Sequence, residues 1–213
     1  MKLIRLLAAA TAAFSFCATV LAAPVDDDVA RLQQEWEVVK YKTPAAQQEK
    51  QYEALAEKAG KVVAAYPDRA EPLVWQGIIV SSLAGARGGL GALGLAKQAK
   101  AQYEAALKLA PEALGGSAYN SLGVLYYKVP GWPIGFGDKA KAKELLLKAL
   151  AINPDGIDAN YFYGEYLVET GKAAEAVPYL ERALAAPARP GRELADTGRR
   201  EEAKALLAKA RAA

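Results

Sequence analysis

The chain has 213 residues, with 27 Lys plus Arg against 24 Asp plus Glu, one Cys, one Met and no His. Two of the basic residues, Lys2 and Arg5, fall within residues 1–22, so 25 remain against 24 acids, a balance that argues against a nucleic-acid binder with its basic stripe. Beyond residue 22 there is neither Cys nor His, which excludes thiolate nucleophiles, imidazole bases and Cys/His metal sites, and no cofactor is expected.

Lys2 and Arg5 precede the apolar run from Leu6 to Leu21, and Val20-Leu21-Ala22 places small residues where a signal peptidase reads them. The expectation is a signal peptide over 1–22, cleavage after Ala22 and export to the periplasm. An uncleaved anchor is the alternative for a run of this length. Cys17 follows Phe16 rather than the small residue that a lipobox requires, so it is not read as a lipidation site. No later segment approaches the ~20 continuous apolar residues of a spanning helix, so no stable membrane insertion is expected after cleavage.

Residues 23–69 read as a divergent helical pair, with Leu32, Trp36 and Val39, then Leu55, Ala59 and Val62, at helical spacing. From residue 70 to 213 a stronger order appears. Ala99 and Ala106, Ala142 and Ala149, Ala176 and Ala183, and Ala203 and Ala210 each lie seven apart, close to two helical turns. A larger residue sits between the members of each pair: Tyr103, Leu146, Leu180 and Leu207. Gly77, Gly123 and Gly164 lie on the helices upstream of the first three pairs. Small residues of this kind mark where two helices approach closely. Pro111 and Pro154 stop helices. Asp68, Ser117 and Asp158 stand where N-caps are wanted, and Asp68 with Glu71 has capping-box spacing. Glu169-Thr170-Gly171-Lys172 and Asp196-Thr197-Gly198-Arg199 read as matching turns, and Glu201–Ala212 as a terminal capping helix after a truncated last unit. The step from Ala142 to Ala176 is 34 residues, an internal repeat.

This pattern resembles the tetratricopeptide repeat. Tyr119-Asn120-Ser121-Leu122-Gly123-Val124-Leu125-Tyr126 matches the first helix of such a repeat, and Ala142, Leu146, Ala149 and Pro154 match the second. The resemblance implies an all-α, right-handed solenoid of antiparallel helix pairs. Two Gly-rich stretches, roughly 81–95 and 129–138, lengthen their units and are expected as insertions on one edge. Within the first, Gly89-Leu90-Gly91-Ala92-Leu93-Gly94 matches the dinucleotide fingerprint but lacks the preceding strand that the fingerprint requires, so it is a coincidence of glycine density. Arg87 and Lys97 flank it, and a weaker reading has them hold an anion. In the second, Trp132 and Phe136 either plug the helix ends or line a pocket or partner-binding ledge, and Asp138 caps the next helix. Lys128, Pro130, Gly135, Gly137 and Asp138 give this stretch a likeness to the periplasmic T-component of tripartite ATP-independent transporters. That likeness implies a helical repeat protein beside a solute-binding protein, with an apolar cavity of its own.

Groove positions carried across from the repeat family are Val74 and Ile78, then Asn120, Val124 and Tyr127, then Tyr161 and Glu165. With Lys128, Trp132 and Phe136, the residues from Asn120 onward form the candidate site for a partner protein or peptide, or for a small apolar ligand. With Glu165 facing the groove and Lys128 the nearby cation, a clamp for C-terminal carboxylates is not expected. The first function is therefore an exported, non-enzymatic scaffold for protein–protein interactions. The second is a solute-handling accessory, and a carboxylate-dependent hydrolase ranks last, because most acids lie among Lys and Arg on helix faces.

Overall fold

The alanine pairs and the glycines upstream of them are where the helices touch. In the structure, a computed structural model that describes residues 24–213, seven of the eight paired alanines are completely buried, and Ala210 is buried with them. Each glycine faces the large residue between the alanines of its pair. A Cβ on Gly77 would lie 2.5 Å from Tyr103 Cε1, one on Gly123 2.8 Å from Leu146 Cγ, and one on Gly164 2.8 Å from Leu180 Cδ2. Glycine at these positions lets two helices approach until Tyr or Leu of one fills the notch of the other.

Among the described residues the chain forms nine helices: α1 Pro24–Lys42, α2 Ala45–Ala65, α3 Ala70–Arg87, α4 Gly89–Leu109, α5 Ala113–Lys128, α6 Lys139–Ile152, α7 Ile157–Glu169, α8 Ala173–Ala185 and α9 Glu193–Arg211. They pack in adjacent antiparallel pairs, α1 with α2, α3 with α4, α5 with α6 and α7 with α8, while α9 stacks on the last pair. This is the all-α solenoid that the repeat predicts. The signal peptide read over residues 1–22 lies outside the described residues. No helix among them is long and apolar enough to cross a membrane.

The two Gly-rich stretches behave differently. Residues 81–95 are not a loop: α3 continues to Arg87 and α4 begins at Gly89, with a break only at Gly88. Burial of Leu83, Ala84 and Ala96 overrides the glycines' poor helix propensity. Arg87 is tied to Glu49 at 2.8 Å and to Glu53, both on α2, so it is not held for an anion. Residues 129–138 do form a loop, closed by Gly137 N–H donating to Pro130 O at 2.9 Å and Asp138 N–H donating to Tyr126 O at 2.8 Å.

The caps divide likewise. Asp138 starts α6 as expected, its Oδ1 accepting from the N–H of Ala140 at 2.8 Å and of Lys141 at 3.0 Å. Asp68 caps nothing: Arg69 holds the N-cap position of α3 and its guanidinium binds Glu71 instead. Leu114, Gly115 and Gly116 take left-handed dihedrals inside α5, and the hydroxyl of Ser117 just after them donates to Leu114 O at 2.7 Å rather than accepting a backbone N–H. Asp196-Thr197-Gly198-Arg199 is no turn. It lies inside α9, where Asp196 is buried and Gly198 is pressed against the ring of Tyr41 from α1. The last unit has therefore lost its first helix altogether, and the capping helix starts at Glu193 rather than Glu201.

The notch geometry separates two kinds of glycine. Gly77→Ala drives a methyl group into a fully buried Tyr103 and is expected to cost about 1–3 kcal/mol. Gly94→Ala, in α4 with open space around its Cβ, is expected to gain about 0.5–1 kcal/mol. Urea denaturation followed by circular dichroism measures both, and equal effects would contradict the close-approach role of Gly77.

Candidate functional site

The solenoid closes on itself. Glu37 of α1 is buried, and its carboxylate accepts from Arg192 Nε, 155 residues later in the chain, and from the backbone N–H of Ala195 at 3.2 Å. Lys40 of α1 pairs with Glu202 of α9 at 3.5 Å, and Tyr41 packs on Gly198. The guanidinium of Arg192 also lies 5.1 Å from the ring of Trp75. First and last helices thus meet, and the concave face lined by α3, α5 and α7 becomes the wall of a cavity.

That cavity has a volume of about 580 Å³. Its walls are Ile78, Ser81 and Ser82 on α3, Asn120, Ser121 and Val124 on α5, and Phe162 on α7. Trp36 and Trp75 stand edge to face at 5.8 Å on another part of the wall, and Trp36 Nε1 donates to Ser82 Oγ at 2.9 Å. Ala92, Leu93, Val129, Pro130 and Ile134 add an apolar border from the start of α4 and the 129–138 loop. Asn120 is 6% exposed, and its Oδ1 has no hydrogen-bond partner among the described residues. A buried carbonyl of this kind costs about 1–3 kcal/mol if it stays unpaired.

The rest of the wall is charged. Asp158 in the first turn of α7 accepts from Arg199 Nε at 2.8 Å and from Arg189 at 2.7 Å. Arg189 also binds Asp196 through its guanidinium at 2.8 Å and its backbone N–H at 2.9 Å. Arg199, itself buried, reaches Glu202 at 2.6 Å and lies 4.4 Å above both Tyr161 and Phe162. Burial pushes the Asp158 carboxyl up, but the charges of Arg199 and Arg189 outweigh it and hold the group at about 2. Asp158 is therefore an ionised, arginine-bound acceptor. A general acid needs a pKa near the working pH, so this carboxylate cannot serve as one at neutral pH.

Of the groove and candidate-site residues read from the sequence, Asn120, Val124, Lys128 and Ile78 line the cavity. The others lie elsewhere. Tyr127 is buried in the core against Tyr166, its hydroxyl donating to Glu165 Oε2 at 2.5 Å. Glu165 also pairs with Lys128 at 3.2 Å. Tyr161 is buried beneath Arg199, and Val74 is wholly buried between α3 and its neighbours. Phe136 plugs the loop, packing on Tyr126 at 5.6 Å. Trp132 neither plugs nor lines anything: it is 91% exposed. Sequence reasoning missed Trp36, Trp75, Phe162 and the arginines, because the groove was carried across as an open face and α9 as a plain cap. The signal available was the crowding of Arg189, Arg192, Arg199 and Arg200 beside Asp196 in an otherwise evenly charged chain.

Because the Asp158 pKa falls from 3.8 to about 2 on folding, its contribution to stability is present above pH ~4 and is lost as the pH drops through ~2. Asp158→Asn is expected to lose roughly 1–3 kcal/mol at pH 7 and to show a shallower fall in stability from pH 4 to pH 2 than the unmodified protein. Denaturation midpoints across that range check it, and parallel acid profiles would contradict the ion-pair role.

A model of the tetratricopeptide repeat matches residues 157–188, the span of α7 and α8. Among solved structures the chain is similar to TTC0263, a thermophilic tetratricopeptide protein of Thermus thermophilus, at 22% identity over 87% of this chain and 89% of that one, with a TM-score of 0.55. Looser overlaps reach MamA, at 20% identity over 77% of this chain and 89% of that one with a TM-score of 0.46, and yeast Tom70, at 16% over 85% and 40% with 0.48. A search of the curated proteins gives no match. Residues 157–188 are a tetratricopeptide repeat, and the chain has the solenoid fold of the tetratricopeptide proteins.

Proposed function

We infer that the protein is an exported binding protein without chemistry of its own, and that the interior of its solenoid takes up a small, largely apolar ligand. The observation that carries this reading is the cavity itself, about 580 Å³ in volume, walled by Ile78, Val124, Phe162, Trp36 and Trp75 and of a size within the range of small-molecule sites. An extended peptide needs an open groove. Here α1 and α9 meet across the groove through Glu37, Arg192 and Ala195, which favours a compact ligand over a threaded chain. The solenoid fold supports an interaction scaffold as well, and on this reading partner proteins contact its outer surfaces while the interior holds the solute. The likeness of Lys128, Pro130, Gly135, Gly137 and Asp138 to the transporter T-component agrees with a solute-handling role next to a second protein.

The test is uptake of an apolar fluorescent probe such as an anilinonaphthalene sulfonate, with native mass spectrometry of the protein purified without detergent. The protein is expected to bind the probe at one site and to carry a sub-kilodalton adduct. Val124→Phe, which pushes a ring into the cavity from its wall, is expected to weaken probe binding at least tenfold while keeping helicity. Absence of uptake, or equal uptake by Val124→Phe, would contradict the cavity reading, and a co-purified polypeptide in place of the adduct would return the function to protein scaffolding.

A further inference from the structure

The 129–138 loop, whose Ile134 borders the cavity, also carries a tip that reaches outward beyond it. Trp132 is 91% exposed and Ile134 70% exposed, whereas Trp36 and Trp75 are buried at 8% and 5%. The loop is held firmly under this tip. Gly131 pairs with Gly137, Ile134 N–H donates to Gly131 O at 3.2 Å, and Phe136 is packed on Tyr126 below. An ordered loop that holds a Trp away from every neighbour leaves a large apolar surface in water with no intramolecular compensation.

The sequence that flanks the tip is basic. Lys128, Lys139, Lys141 and Lys143 flank it within a stretch whose one acid is Asp138, and Asp138 is turned onto the N-terminus of α6 as its cap. Lys128 and Lys141 have carboxylate partners. Lys139 and Lys143 stand one turn apart on α6, are exposed, and form no ion pair among the described residues. Gly137, which pairs with Gly131 to close the loop, stands two residues before Lys139 at the start of α6.

We propose that Trp132 and Ile134, with Lys139 and Lys143, form a peripheral docking site for an anionic lipid bilayer. A convex tip of two side chains is far smaller than the ~1,000 Å² that a stable protein interface requires. It does fit the headgroup layer, where an indole ring sits with its apolar body inward and lysines meet lipid phosphates. The docking is shallow and reversible and needs no spanning helix. It goes beyond the cavity reading and does not depend on it.

The experiment is flotation with vesicles of phosphatidylcholine alone and of equal parts phosphatidylcholine and phosphatidylglycerol, with tryptophan emission recorded. The protein is expected to float with the anionic vesicles, and the emission to shift to the blue because the exposed tryptophan is Trp132. Trp132→Ser is expected to abolish the shift and weaken flotation at least tenfold. Lys139→Ala with Lys143→Ala is expected to remove the preference for the anionic vesicles, and both variants keep their helicity and their probe uptake in vesicle-free solution. Failure of the protein to float, flotation that survives Trp132→Ser, or a blue shift that follows protein concentration without lipid would overturn the proposal. The last result would assign the tip to a contact between proteins.

Discussion

The contact on which the interior depends is the one between the first helix and the last. A stack of helix pairs has a concave face open along its length. Here Glu37 of α1 receives the Arg192 guanidinium and the Ala195 N–H, and Tyr41 settles into the space left by Gly198. That single crossing bridges the groove and turns its concave face into the wall of a partly open cavity. It also explains why α9 begins early. Asp196 and Gly198 are poor interior helix residues, yet Arg189 satisfies the first and Tyr41 occupies the notch of the second.

The closing contact is polar rather than apolar. Removing charges from water costs several kcal/mol per ion, and the cost is recovered only where every lone pair and proton finds a partner. In this cluster Asp158, Asp196, Glu37 and Glu202 interleave with Arg189, Arg192 and Arg199, and Arg199 also lies on the faces of Tyr161 and Phe162. Directional pairs of this kind fix one registry of α9 against α1 and α7, where an apolar seam would tolerate several. The apolar layers between alanine and glycine stripes supply the burial, and the arginine cluster fixes the closure.

The repeat was legible because its rule is local. Close approach of two helices demands small residues at seven-residue spacing and a larger one between, and Ala142, Leu146 and Ala149 opposite Gly123 show it within one unit. The Val129–Asp138 loop was legible for the same reason, since two prolines and three glycines permit little else. The α3–α4 junction misled, because glycine count is a weaker influence than the buried Leu83, Ala84 and Ala96. The cavity was legible only in part. Asn120, Val124 and Ile78 follow from the groove positions of the repeat family that the sequence resembles. Trp36 and the arginines depend on a meeting of residues some 155 positions apart that no local pattern announces.

The most direct measurement is the distance between α1 and α9 in solution, from a pair of spin labels on their exposed faces read by double electron–electron resonance. A closed solenoid predicts one narrow distribution at the short separation of packed helices, widened when Glu37→Ala removes the acceptor that joins them. A broad distribution extending to long separations in the unmodified protein would show an unbridged groove and contradict the closing contact.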